Sequence, residues 1–288
     1  MNIDLESARS WVEKRLEELL PSPGSCPDSL QKAMGYAVLG GGKRLRPILS
    51  MAVASDVCGD PLKALDMGCA AELVHCFSLV HDDLPSIDND NIRRGRPTVH
   101  VKFGESTAIL AGDALFALAF AVASDCPNCL KSLAIASGCL GLVGGEVMDV
   151  ESEGGEQDIA LVESIHRKKT GALVSSACEM GALAAGSAPE AAAEYGKFGM
   201  ELGLAFQIVD DVLNVTGEPQ KLGKSSGTDS AKRKLTYPAV IGVQESRDLA
   251  KDILQSAIVN LRCGLGLVSK ADEMSVEMVA KGFVEREF

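Results

Sequence analysis

Residues 66–90 read DMGCAAELVHCFSLVHDDLPSIDND. From Asp66 to Asp82 the stretch is apolar and helix-forming, with no period-two alternation, so it predicts a long helix rather than a strand. It runs into the acidic cluster Asp82-Asp83-Leu84-Pro85-Ser86-Ile87-Asp88-Asn89-Asp90, where Pro85 cannot continue the helix. Arg93 and Arg94 follow at once. Outward from this stretch the same reading recurs. Trp11, Leu16, Leu19 and Leu20 mark an amphipathic opening helix that Pro21-Ser-Pro-Gly ends. Leu30–Leu39 is a second helix, and Leu45–Cys58 a third with Pro47 near its start, a favourable place for proline. Further helices are expected around Leu110 and Asp113, over Cys129–Val150, Ile159–Ala185, Ala191–Val215 and Tyr237–Leu261, with polar loops at Ser152–Gln157 and Glu218–Lys234. No linker divides the chain. The expectation is an all-α protein, one large helical bundle over residues 1–288.

Composition agrees. The 288 residues are 46% hydrophobic but only 4% aromatic, a mix that favours packed helices over a sandwich of strands. A net charge of −12 argues against nucleic acid as a partner, because a phosphate backbone needs a basic footprint. It leaves room for a small phosphate-bearing substrate, which needs only local cations. The nine cysteines are scattered through apolar contexts such as Cys69, Cys76 and Cys178 and read as reduced, buried thiols. Cys126-Pro-Asn-Cys129 is a lone CxxC with no further zinc ligands at suitable spacing. Ala108–Ala123 is strongly apolar but short of a bilayer span and interrupted by Asp113, so a buried core helix is expected. Met1–Leu20 carries charges of both signs and no leader pattern, so a soluble, cytoplasmic protein is expected.

A second acidic cluster, Asp210-Asp211-Val212-Leu213-Asn214, lies far along the chain, with Lys224 and Lys234 after it. Gln207, Asp210, Asp211 and Asn214 share one side of a helix. Leu204, Phe206, Ile208, Val209 and Leu213 surround them, and carboxylates are costly to bury without a cation. Oxygen-only ligand sets suit Mg²⁺, which keeps waters and takes further oxygens from substrate phosphates. In the first cluster six residues of helix would turn Asp88 away from Asp82, so the loop after Pro85 must bring it back. A turn rich in Asp and Asn needs no such role, but the adjacent Arg93-Arg94 pair makes that plainer reading less attractive. Gly40-Gly41-Gly42-Lys43-Arg44-Leu45-Arg46-Pro47 adds a third element: glycines before a helix with Lys43 and Arg46 one turn apart, an anion-binding pattern distinct from a Walker A loop. Two separate basic sets point to two anionic ligands.

These motifs together resemble the trans-isoprenyl diphosphate synthase family. The resemblance rests on the GGKRLRP run Gly41–Pro47, on Asp82–Asp88 continuing through Arg93-Arg94-Gly95-Arg96-Pro97-Thr98, and on Lys169-Thr170-Gly171. It also includes Asp210–Asn214, Leu222-Gly223-Lys224 and Lys234-Leu-Thr-Tyr-Pro238, and spans residues 31–244 in the family's order. It implies a helical bundle with a central active-site cavity. It implies that Lys43, Arg46, His75 and Arg94 bind isopentenyl diphosphate, and that Asp82, Asp83, Asp88 and Asp210 hold Mg²⁺ against an allylic diphosphate. Arg93, Lys169, Thr170, Gln207, Lys224 and Lys234 would hold that second diphosphate. Asp82, Asp83, Asp88, Lys169, Asp210 and Asp211 are the expected catalytic set. The implied reaction is ionisation, condensation and elimination, with farnesyl diphosphate as product, in a homodimer. Asn214 stands where the family usually has a third aspartate, and Asn91 replaces an Asp in the first loop. Phe77, five positions before Asp82, and Ser78 would form the floor that stops chain growth; a geranylgeranyl synthase is the alternative. A class I terpene cyclase fits less well, because it has no use for Lys43 and Arg46. A non-catalytic subunit would be expected to lack an aspartate motif.

Overall fold

The computed structural model describes residues 4–154, 158–216, 236–267 and 272–284. The helices are α1 Leu5–Leu19, α2 Asp28–Val38, α3 Leu45–Cys58, α4 Leu65–Asp82, α5 Val99–Phe103, α6 Glu105–Ala123, α7 Pro127–Ser137, α8 Leu142–Ser152, α9 Ile159–His166, α10 Ala172–Ala184, α11 Pro189–Thr216, α12 Tyr237–Ile241, α13 Val243–Gly264 and α14 Ser275–Val284. Among the described residues the only strands are the two-residue β1, Ile92–Arg93, and β2, Arg96–Pro97, paired antiparallel. The expected all-α class is what forms.

The core is a single hydrophobic cluster reaching from Ala8 to Val284. Its centre is α4 and α10, packed on each other and flanked by α3, α6, α7 and α11. α3 is buried on almost every face, as its unbroken run Ile48–Ala54 requires. α11 packs along both α10 and α13. Leu49, Leu73, Leu173 and Leu202 are fully buried where these helices meet.

Two of the expected helices are broken and a third is distorted. Residues 129–150 split into α7 and α8 at Gly138-Cys139-Leu140-Gly141, because Gly138 and Gly141 take extended ψ values of −157° and −125°. Residues 159–185 remain one rod, but Arg167–Gly171 forms a π-helical turn inside it. Residues 237–261 break at Gly242, whose φ of +90° belongs to glycine.

The reading of Ala108–Ala123 as a core helix holds for one face. α6 packs firmly on α4 and α2, yet its outward side exposes Ile109 and Leu110. The cysteines also differ from expectation. Cys69, Cys76 and Cys178 are buried, Cys58, Cys139 and Cys263 are exposed, and Cys126 is bonded to Cys129.

Candidate active site

The GGGKR loop is fastened by its one fully buried arginine. Arg44 sits in the left-handed region at φ +51°, and its guanidinium meets Glu13 at 2.8 Å, Glu72 at 2.9 Å and the Val38 carbonyl at 2.7 Å. Sequence reasoning passed over Arg44, which is satisfied inside the protein and holds the loop in place. Arg46, the second residue of α3, is the opposite case. Its Nε is buried with no hydrogen-bond partner among the described residues. Burial pushes the Arg46 guanidinium below its ordinary pKa, and nearby Arg94 adds repulsion.

Arg94 arrives from the β1–β2 hairpin, donates to the Gly41 carbonyl and lies against Gly42, where an added Cβ would sit 2.8 Å from its guanidinium. Arg9 donates to the Gly42 carbonyl at 2.9 Å. Lys43 is exposed beside them. His75, on α4, is held far below the usual histidine range by burial and then by Arg46, Arg94, Arg93 and Arg44. A neutral imidazole among guanidiniums, with a buried N–H left over, is the electrostatic cast of an anion. Sequence reasoning nominated Lys43, Arg46, His75 and Arg94; the fold brings them together.

The acidic side is built at the end of α4. The chain turns back after Pro85, as expected: the Asp88 amide donates to the Asp82 carbonyl at 2.8 Å, while Leu84 accepts from Ile87 and Asn89. Burial pushes the Asp82 carboxyl up to about 7, helped by Glu146 and Asp88 and opposed by Lys169 and Arg93. Asp83 behaves differently from Asp82. It is buried, and Arg93 grips its Oδ1 through two nitrogens at 2.6 Å, so the pair neutralises itself. Asp83 and Arg93, expected to meet metal and diphosphate respectively, are thus paired with each other in the structure.

Lys169 lies in the π turn, a distortion that recurs at functional sites. Its Nζ meets Asp149 at 2.6 Å and Glu146 at 2.7 Å, and Asp82 adds to the field that keeps it charged. Glu146 and Asp149 escaped the sequence reading. They are three apart on α8 within the apolar stretch Leu142–Val150, the same signal that marked the other carboxylates. The approach is made possible by Gly145, whose added Cβ would sit 2.7 Å from the Lys169 Cα. On the other side Gly203 of α11 touches Gly171, with an added Cβ 2.6 Å from its Cα.

α11 then carries a chain of polar contacts. The Thr170 hydroxyl donates to Gln207 at 3.0 Å, and Gln207 donates to Asp211 at 3.2 Å. Asp211 is buried, 2.8 Å from His166 Nε2, and accepts from the Tyr237 amide at 3.2 Å. Asp211, expected in the catalytic set, ties α9, α11 and α12 together through these contacts. His166 was also missed. Asp210 and Asn214 are half-buried on the same helix. Lys224 and Lys234 lie outside the described residues.

Among the described residues no three His, Cys, Asp or Glu side chains already meet at metal-ligand spacing. Asp82 and its carboxylate neighbours are close enough to disfavour each other's charge. Clustered carboxylate oxygens of this kind suit a hard divalent cation that takes its remaining ligands from water and phosphate.

Residues 27–263 match the family model described as polyprenyl synthetase. The farnesyl diphosphate synthase of Escherichia coli (strain K12) is 44% identical over 243 residues, 80% of this chain and 81% of that protein. Geranylgeranyl pyrophosphate synthase 4 of Arabidopsis thaliana is 41% identical over 266 residues, 89% of this chain and 71% of that protein. Among solved structures, a geranyltransferase from Helicobacter pylori complexed with magnesium and isoprenyl diphosphate superposes with a TM-score of 0.83. It has 27% identity and covers 99% of this chain and 98% of its own. The chain belongs to the polyprenyl synthetase family.

Proposed function

We propose that this protein is a Mg²⁺-dependent short-chain trans-prenyltransferase. It condenses isopentenyl diphosphate with dimethylallyl and then geranyl diphosphate, giving farnesyl diphosphate and free diphosphate. The observation that carries this is the pair of separate charge clusters: Arg46, Arg94 and neutral His75 on one side, and Asp82, Asp88 and Lys169 on the other. Two clusters serve two diphosphates. The family match and the farnesyl synthase relatives agree with this reading.

Isopentenyl diphosphate would sit on Arg94 and on Arg46, whose buried Nε would gain its missing acceptor. The allylic diphosphate would sit on Lys169, with Thr170 and Gln207 beside it. Mg²⁺ held by Asp82, Asp88 and Asp210 would neutralise charge on the departing diphosphate. The allylic C1–O bond breaks with its electron pair on the diphosphate. The isopentenyl double bond attacks C1, and a C2 proton leaves to the released diphosphate. No side chain is assigned as that base.

Phe77 supports a C15 product, because a ring on α4 below Asp82 limits the room for a longer chain. The alternative of a C20 product is favoured by the plant relatives of similar identity. We further propose a homodimer, since the 18-residue core of α6 has a mean hydropathy of 1.8 with only a third of it buried within one chain. A cytoplasmic location goes with the seven unpaired thiols.

The test is to incubate the purified chain with isopentenyl diphosphate, each allylic diphosphate and Mg²⁺, and to identify products by mass spectrometry. Farnesyl diphosphate is expected. No elongation would overturn the enzyme reading, and a C20 major product the chain-length reading.

A further inference from the structure

The basic cluster is assembled from two distant segments: the Gly41–Arg46 loop after α2, and Arg94 in the β1–β2 hairpin. That hairpin is a poor support on its own. Each strand has two residues, and the turn between them is Arg94-Gly95, at φ +53° and +71°. Positive φ at both central residues defines a type I′ turn, which suits glycine and costs an arginine free energy. Pro97 has no N–H to give the ladder. A cavity of about 50 Å³ lies between the hairpin and Cys76, Leu79 and Val80 of α4, so the hairpin does not rest flush on that helix. An isolated hairpin this short is at best marginally stable, so something else must hold Arg94 in place.

Tyr36, in the last turn of α2, supplies that hold. Its hydroxyl donates to the Pro97 carbonyl at 2.8 Å. Two cations lie over its ring, Arg96 Cζ at 4.0 Å from the centroid and Lys102 Nζ at 3.9 Å, where the ring face attracts positive charge. Phe103 meets the ring edge-on at 5.5 Å. Arg96 also passes over Gly40, where an added Cβ would sit 3.1 Å from its guanidinium. These contacts fix the hairpin to the residues just before Gly41, whose carbonyl Arg94 meets. We infer that Tyr36 is a positioning residue for the isopentenyl diphosphate site: it pins the β1–β2 hairpin to α2 and so sets Arg94 against the Gly41-Gly42 loop. This rests on the proposed prenyltransferase reading. The grip of Arg93 on Asp83 holds the hairpin independently on the side of the aspartates. Loss of Tyr36 should therefore be felt at the isopentenyl site rather than the allylic one.

The experiment is steady-state kinetics of the purified full chain with geranyl diphosphate, isopentenyl diphosphate and Mg²⁺. Wild type is compared with Tyr36→Leu, Tyr36→Phe, Arg94→Ala and the double variant Y36L/R94A. Y36L is expected to raise KM for isopentenyl diphosphate about tenfold, with kcat and KM for geranyl diphosphate within about threefold of wild type. Y36F keeps the ring and loses one hydrogen bond, so its KM should rise about threefold. Because Tyr36 acts through Arg94, the double variant should match R94A within about twofold rather than multiply the two losses. An unchanged KM in Y36L, even with a lowered Tm, would overturn the inference. So would multiplied losses in the double variant, or an equal rise in KM for geranyl diphosphate. Should Y36L fold poorly by circular dichroism, Y36F and Y36F/R94A carry the same tests. A wild-type chain that elongates nothing would instead overturn the prenyltransferase reading. Calorimetric binding of isopentenyl diphosphate to the same variants then replaces KM, and an unchanged Kd in Y36L, or no binding to wild type, would overturn the inference as well.

Discussion

Lys169 Nζ lies 2.7 Å from Glu146 Oε2, so the cation that would receive a diphosphate is already held by a carboxylate. Asp149 holds it from the other side at 2.6 Å. An incoming anion must compete with both. Glu146→Gln removes one competitor and leaves Asp149 to hold the side chain. Inorganic diphosphate, titrated calorimetrically without metal, should then bind about three- to tenfold more tightly than to wild type, the scale of one partly exposed ion pair. Unchanged or weaker binding would mean that Glu146 does not restrain Lys169.

Asp82 makes stability depend on pH in a definite direction. Its folded pKa is raised from the ordinary aspartate value to about 7, so between about pH 4 and 7 the native state holds a proton that the unfolded chain has lost. That contribution falls as pH rises through this window. His75, depressed in the fold, works the other way around its ordinary value, gaining stability as pH rises. The two are separated by comparing metal-free wild type with Asp82→Asn. Denaturant unfolding should show the Tm and midpoint advantage of the variant growing from pH 5 to pH 8. An advantage independent of pH would show that Asp82 is ionised throughout.

The adjacent aspartates of α11 should separate in the same assays. Asp211→Ala leaves His166 and the buried Tyr237 amide without their acceptor, at a cost of about 2–4 kcal/mol in denaturant unfolding. Asp210→Ala should change stability by less than about 1 kcal/mol and instead lower kcat by about a hundredfold or more. Equal losses of stability would contradict the assignment of Asp211 as the tie.

Arg46 has a buried Nε with no hydrogen-bond partner among the described residues. Arg46→Met should therefore leave Tm unchanged or raise it, while KM for isopentenyl diphosphate rises about ten- to hundredfold. A lowered Tm with unchanged KM would make Arg46 a structural residue like Arg44.

Much of this was legible in the chain, for physical reasons. α3 begins and ends at the residues expected, Leu45 and Cys58, because proline near its start and Gly59 after it punctuate an apolar run. The return of Asp88 to Asp82 followed from Pro85. The split between α7 and α8 was hidden because glycine serves both helix packing and helix breaking, and only tertiary contact decides which. The π turn was hidden because no local pattern in Arg167–Gly171 separates it from an ordinary helical turn. Glu146 and Asp149 are not adjacent and so lack the paired-aspartate pattern, although two acids three apart on an apolar face carry the same meaning. Arg44 and Arg46 are two positions apart in sequence, yet one is fully paired and the other carries an orphaned donor. No local pattern separates them; the reach to Glu13 and Glu72 does.

The central claim is that two diphosphates occupy two independent sets of residues, only one of which needs metal. Calorimetric titration of the wild-type protein with isopentenyl diphosphate, and separately with a non-ionising thio analogue of geranyl diphosphate, each with and without Mg²⁺, tests it most directly. Isopentenyl diphosphate should bind with similar affinity in both conditions, and the geranyl analogue should bind only with Mg²⁺. Mutual competition between the two ligands, or equal dependence of both on Mg²⁺, would contradict the account.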